Sequence, residues 1–357
     1  MMTDTTIILD THPGEIIKEH MDELGWTQRD LAQRLGVLPK TVNLLIHHKT
    51  HIDREYAESF SRIFGHSVDF WLNLEKVWAD NERLKQAEAE AKKFKPYLTR
   101  FKFAELVKAK LLNDSVYYLD KINHFLGFFR VASFDALDRL VSTNAARYKR
   151  RDTKAATDET LAVWIMACER ISEQVPLSGA YSKKAFEAAL HEIRHTMLDK
   201  CIDIERLKKI CAKAGVAVVT VAPFKGLGVY GASFWRAKRP VIALAWNYSD
   251  DRFWFYFFHE ASHILNDPPK EIFAEVSTYT DIDDSEKRAN AFAEDILLPN
   301  FNERDFPHTE MGIKQYAAKT KVLPCIVIGR LRNRGLLHNA AFTDLGQTTQ
   351  PRYDTFV

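Results

Sequence analysis

From His12 to about Phe70 apolar residues recur every three or four positions and are broken at short intervals. That predicts a run of short helices: "PGEIIKEHMDELG", "TQRDLAQRLG", "PKTVNLLIHH" and "DREYAESFSRIFG". The punctuation agrees, with Pro13 in a first turn, Thr27 at a cap, and Gly25, Gly36 and Gly65 where left-handed residues end helices. Leu31, Ala32, Leu35, Val37, Val42, Leu45 and Ile46 give the second and third segments apolar stripes across a tight turn, the spacing of a helix-turn-helix. Residues 67–95 read as one long helix, apolar at Phe70, Trp71, Leu74, Val77 and Trp78, then increasingly charged and stopped by Pro96. Residues 97–200 are expected to be helical again, with aromatic faces in "VYYLDKINHFLGFFRV" and "TLAVWIMACERI".

The period then changes. "VAVVTVA" (216–222), "GVYGASFW" (228–235) and "PVIALAW" (240–246) are β-branched, aromatic and separated by turn residues, which predicts a small sheet. The next stretch, "NYSDDRFWFYFFHEASHILNDPP", opens on Ser249, Asp250 and Asp251 and ends on Asn266, Asp267, Pro268 and Pro269. Those are helix start and stop residues, although "FWFYFF" also suits a buried strand. The choice matters chemically. In a strand His259 and His263 would lie about 13 Å apart, whereas one helical turn separates them by about 6 Å on one face. The helix is preferred and must be buried nearly all round, so its histidines need a partner, either a metal or internal hydrogen bonds. "DSEKRANAFAEDILLPN" (284–300) predicts a further helix from about Ser285, apolar at Ala289, Phe292, Ala293, Ile296 and Leu297 and ended by Pro299.

Composition narrows the class without naming a partner. The 357 residues are 46% hydrophobic and 27% charged with a net charge of +2, as in a folded chain with no obligatory nucleic-acid or membrane field. Cys168, Cys201, Cys211 and Cys325 lack CxxC spacing, so neither a disulfide framework nor a thiolate metal site is expected. The N-terminus lacks signal-peptide character and no run is long enough to span a bilayer, so the expected location is cytoplasmic. The basic run "RYKRRDTK" (147–154) is read as a solvated loop, and residues after Thr343 as a polar tail.

Two copies of His-Glu-x-x-His carry the candidate chemistry. In the first, "LHEIRH" (190–195), a helix from about Ser182 would bury Phe186, Leu190, Ile193 and Met197. His191 and His195 then share a wet side with Lys184, Glu187 and Asp199, and Arg194 adds a cation, so this copy is rejected as a metal site. The second, "FFHEASHIL" (257–265), has a third group at a workable distance: Glu286, 23 residues beyond His263, in the first turn of the next predicted helix. Two imidazoles and one carboxylate, with a fourth position for water, are the ligand set of a catalytic zinc. Asn290, one turn past Glu286, is placed to hydrogen-bond a ligand, and Glu260 lies beside the ion as the general base.

Two family resemblances extend these readings. The stretch from "HPGEIIKEHMDELG" to "DFWLNL" resembles the HigA-type antitoxin branch of the XRE helix-turn-helix family, which implies a homodimer on operator DNA with Lys40, Thr41 and Asn43 near bases. Members usually carry a serine where Leu38 stands and Asn-Gly where His47 and His48 stand. Residues 1–66 hold seven Lys and Arg against ten Asp and Glu, so a helical module for dimerisation or protein contact stays open beside DNA binding. "FHEASHIL" with "EKRANAFAEDILLP" resembles the ImmA/IrrE family of zinc-dependent metallopeptidases, which implies His259, His263 and Glu286 as zinc ligands and Glu260 as base.

The expected fold class is therefore α+β and mainly helical: an N-terminal helix-turn-helix bundle, a helical middle region, and a C-terminal zincin-like domain with a small sheet and the His-Glu-x-x-His helix. The expected boundaries are 1–80, 81–200 and 201–342, with a flexible tail at 343–357. The expected function is a DNA-binding regulator fused to a zinc endopeptidase that cleaves a specific protein, such as a transcriptional repressor or a toxin-antitoxin partner. The alternative is an antitoxin-like repressor whose metal site is structural or inactive. Peptide would lie as an added strand on the sheet edge, with Tyr230, Tyr279, His308 and Tyr316 as candidates to stabilise the oxyanion.

Overall fold

The computed structural model describes residues 11–145, 158–197, 202–268, 273–276, 284–299, 301, 309–338, 341–346 and 349–355. The basic run 147–154, Asp199, Cys201, Tyr279 and His308 lie outside the described residues. The chain forms two compact units, Met1–Phe94 with Tyr117–Leu119, and Lys95–Val116 with Asp120–Val357. It is mainly helical with one small sheet, the expected fold class. Among the described residues no helix is long and apolar enough to cross a membrane.

The first unit contains α1 (Pro13–Glu23), α2 (Gln28–Leu35), α3 (Pro39–Ile46), α4 (Arg54–Phe64) and α5 (Val68–Ala91). Local chemistry sets their ends. The Thr27 hydroxyl accepts from the Asp30 N–H while the Asp30 carboxylate accepts from the Thr27 N–H, a capping box that starts α2. Gly36 then takes φ 71°, and the Val37 N–H donates back to the Ala32 carbonyl, closing α2 tightly enough for Pro39 to begin α3. Ile17, Leu31, Val42, Phe60 and Trp71 meet in the core of this unit. One expectation fails: α5 does not run on to Pro96. A 3-10 turn at Lys92–Phe94 follows Ala91, and Pro96 lies in the first turn of the next helix, where its missing N–H costs nothing.

The second unit holds α6 (Lys95–Arg100), α7 (Phe103–Lys108), α8 (Tyr118–Phe129, apart from its first two residues), α9 (Phe134–Ala145), α10 (Asp158–Ser172), α11 (Lys183–Thr196) and α12 (Ile204–Lys213). After them come β1 (Ala217–Thr220), β2 (Val229–Arg236), β3 (Arg239–Leu244), α13 (Asp250–Asn266), β4 (Phe273–Val276), α14 (Asp284–Leu297), α15 (Glu310–Thr320) and α16 (Pro324–Asn333). The sheet order is β1-β3-β2-β4, with β1 parallel to β3 and β2 antiparallel to both β3 and β4. The strand β4 was not expected from the sequence. The helix α13 lies against β2 and β3 and also meets α14, so it forms the middle of the unit.

The expected flexible tail is, in its described part, tied to this unit. The Thr349 N–H and hydroxyl both donate to the buried Asp250 carboxylate at the start of α13, at 2.6 and 2.8 Å. The Asp354 N–H donates to the Thr220 carbonyl, its carboxylate accepts from the Thr220 N–H, and the Thr220 hydroxyl donates to the Arg352 carbonyl, so this segment is pinned to the last residue of β1. The Tyr353 hydroxyl donates to the Trp246 carbonyl at 2.7 Å. The sequence shows no apolar stripe here because backbone and polar groups make the attachment.

Candidate metal centre

The helix α13 starts with Asp250 and Asp251 in the first turn, which complement the helix dipole, and it buries thirteen of its residues, including Phe253, Phe257, Phe258 and Ile264. A helix apolar on every side carries its polar residues inward as well. His259 and Glu260 are fully buried and His263 is 2% exposed. The neighbouring α14 brings Glu286 in its first turn and Asn290 one turn later to the same side of α13.

The His259 Nε2 and His263 Nε2 atoms are 3.1 Å apart, and Glu286 carboxylate oxygens stand 3.2 Å from the first and 3.8 Å from the second. The outer nitrogens decide the tautomers. His263 Nδ1 lies 2.6 Å from Asp267 Oδ2, and Asp267 also accepts from the Ser285 hydroxyl and from Arg288, each at 2.8 Å. Burial pushes the Asp267 carboxyl up, and the hydrogen bonds from His263, Ser285 and Arg288 more than reverse this, bringing it down to about 2. An ionised carboxylate only accepts, so His263 Nδ1 carries the hydrogen. His259 Nδ1 lies 2.9 Å from Asn290 Oδ1 and donates likewise. With both rings neutral, these outer bonds leave the two Nε2 lone pairs facing each other and the Glu286 carboxylate. Three electron-rich atoms at this spacing repel one another, and a dication among them answers all three at once. The donor set, two imidazoles and a carboxylate, suits a transition-metal dication.

Glu260, the residue after His259, packs against β2. There a Cβ on residue 231 would come within 3.0 Å of its carboxylate, so the glycine found at that position leaves the acid its room. A cleft of about 850 Å³ opens beside the site, lined among others by Tyr230, Phe255, Tyr256, Asn290 and Arg330. Two of these, Asn290 and Phe255, flank His259. Tyr230 stacks on Tyr256 in that cleft, whereas Tyr316 packs against Phe301.

The other candidates separate cleanly. Phe186, Leu190, Ile193 and Met197 of the first copy are buried while His191, Glu192 and His195 are exposed, and among the described residues that copy forms no metal cluster. Arg194 instead donates to the Ile296, Thr320 and Lys321 carbonyls at the ends of α14 and α15. Cys168, Cys211 and Cys325 are buried, and burial raises their thiols, the opposite of what thiolate ligation needs. On α3, Lys40 and Asn43 are exposed and Thr41 is half-buried, with Asn43 Nδ2 donating to Gln28 Oε1 at 3.4 Å. Leu38 provides no side-chain cap to this helix. Sequence reasoning missed Asp267, read only as a helix stop. Its spacing of four residues from His263 was the available signal.

A family model described as an IrrE N-terminal-like domain, Peptidase_M78, matches residues 211–332. The helix-turn-helix-type transcriptional regulator YddM of Escherichia coli K12 is 36% identical over 67 residues, covering 19% of this chain and 71% of its own. This chain belongs to the helix-turn-helix-type transcriptional regulators. A further regulator of that type, from Haemophilus influenzae, is 32% identical over 88 residues, covering 23% of the present regulator and 82% of its own length. Among solved structures, an addiction module antidote protein of the HigA family from Coxiella burnetii is 27% identical, covers 24% of the regulator and 92% of its own chain, and has a TM-score of 0.22. The regulator thus carries a C-terminal metallopeptidase-like domain of a typically metal-dependent family, and His259, His263 and Glu286 lie within the matched segment.

Proposed function

We propose that the regulator joins operator DNA binding by its first unit to zinc-dependent endoproteolysis by its second. The substrate would be a specific protein such as a transcriptional repressor or a toxin-antitoxin partner, and the working form a homodimer. The observation that carries the peptidase half is the pair of buried Nε2 atoms turned toward each other and toward Glu286, with their tautomers set from outside by Asn290 and Asp267. In this reading His259, His263 and Glu286 hold the ion. When bound, zinc supplies charge that polarises a peptide carbonyl and makes water a competent nucleophile near neutral pH. Glu260 takes the proton of the attacking water and returns it to the leaving amine. Asn290 and Asp267 keep the imidazole hydrogens on the outer nitrogens, so both inner lone pairs stay available. The cleft beside Asn290 and Phe255 receives the peptide, and Tyr230, which lines it, is the candidate to face its oxyanion.

The DNA-binding half is supported by the relatives, named as transcriptional regulators, and by the exposed start of α3, where Lys40, Thr41 and Asn43 would face bases in the major groove. The test of the peptidase half compares protein N-termini in cells producing the wild-type chain or Glu260→Gln. Wild type is expected to generate new N-termini in a small set of proteins, reduced at least about a hundredfold in the variant while its metal content is kept. Identical N-termini in both strains would overturn the reading.

A further inference from the structure

We propose that the first unit carries a second transition-metal site, built from His48, His51 and Glu75. The three side chains present ligand atoms within 4.8 Å of one another. His48 Nε2 and His51 Nδ1 both contact the same oxygen of Glu75, at 3.0 and 2.7 Å. The residues come from two elements. His48 and His51 belong to the connection after α3, and Glu75 sits one turn beyond Trp71 on the buried face of α5.

Glu75 makes this more than a surface ion pair. It is 8% exposed, among aromatic and apolar neighbours, where an ionised carboxylate is costly without a charge to meet it. Among the described residues its partners are the two imidazoles and no lysine or arginine. Two imidazoles crowd one oxygen while the other, Oε2, is buried with no hydrogen-bond partner. A pair of ring N–H donors could as easily have used both oxygens. A dication held by two imidazole nitrogens and the carboxylate would supply the charge that the buried carboxylate lacks.

The geometry needs little change. With bonds of about 2.0–2.1 Å, tetrahedral donors lie about 3.3 Å apart. The His51 side chain is 79% exposed and free to move outward by that amount, and its open side leaves a fourth position for water. His48 is held on the inner side, its ring centroid 3.6 Å from that of Trp78. Its backbone takes φ 51°, so the connection turns sharply enough to aim the ring at α5. Nearby His12 is committed elsewhere, its Nδ1 accepting from the Gly14 N–H at 2.8 Å. Two imidazoles favour Zn²⁺, Co²⁺ or Ni²⁺ over Mg²⁺ or Ca²⁺. Occupancy would staple the end of α3 to α5, and so brace the helix that carries Lys40, Thr41 and Asn43.

The test is a Co²⁺ titration of the full-length chain, read by visible absorption and bound metal per chain. The His259→Ala/His263→Ala chain is expected to keep one equivalent, and adding His51→Asn weakens it at least about tenfold. Because His51 is exposed, this change leaves folding intact, and His47→Asn, at the exposed position before His48, leaves the equivalent unchanged. No bound Co²⁺ in the His259→Ala/His263→Ala chain, or binding indifferent to His51→Asn, would overturn the site. The two centres fail separately: one equivalent in wild type that His259→Ala removes sinks this site alone, and one that His51→Asn removes sinks only the peptidase centre.

Discussion

His191-Glu192-x-x-His195 on α11 and His259-Glu260-x-x-His263 on α13 place the same residue types one helical turn apart, yet their surroundings are opposite. On α11 the apolar stripe lies between the motif residues, so both histidines and the glutamate turn to solvent and water satisfies them. On α13 nearly every side is apolar, so the motif is drawn into the interior, where each polar atom must find a protein partner or an ion. The second copy also has an acid from another helix and an acceptor behind each imidazole, and among the described residues the first has neither. The pattern alone therefore supplies only a spacing. Burial and a convergent third group give it chemistry.

Substitutions can break or sharpen this contrast. The largest effect is expected for His259→Ala, which should abolish stoichiometric metal at the centre on α13 as measured by metal analysis of a chain also carrying His51→Asn, while His191→Ala in the same background leaves it unchanged. Next, Asp267→Asn removes the charge behind His263 and should weaken zinc binding by about 10–100-fold in competition with a chromophoric chelator. Retained affinity would mean that Asp267 does not set the His263 tautomer. Third, Arg194→Ala inside the first copy should lower the stability of the second unit by about 2 kcal/mol in denaturant unfolding, because two half-buried carbonyls and one exposed one lose a charged donor. Metal stoichiometry should stay the same. The smallest effect is expected for Glu192→Gln, within about 0.5 kcal/mol of wild type and without change in proteolysis, since its side chain is exposed.

Much of this contrast was legible from periodicity. The stripe at Phe186, Leu190, Ile193 and Met197 predicted which way α11 faces, and the capped, proline-stopped aromatic run predicted α13 and its buried histidines. Glu286 and Asn290 were legible because both lie one turn apart on a helix with a clear apolar face. What escaped was set by neighbours distant in sequence or by backbone. Asp267 works only once the C-terminal end of α13 curls its carboxylate back to His263. Glu75 looked like one more charge on a helix of charges, because nothing local says that the loop after α3 folds over it. The strand β4 is four residues long and gains its place from pairing with β2, and the break before Pro96 comes from a 3-10 turn that leaves no mark in hydropathy.

The docking of Thr349–Asp354 has a consequence for traffic at the sheet. With Arg352–Asp354 tied to Thr220, a guest polypeptide recruited by main-chain pairing meets that end of β1 already taken, and β4 is the outer strand of the opposite flank among the described residues. Trimming residues 349–357 would then create a second berth, and with it a route for two copies of the protein to zip together through β1.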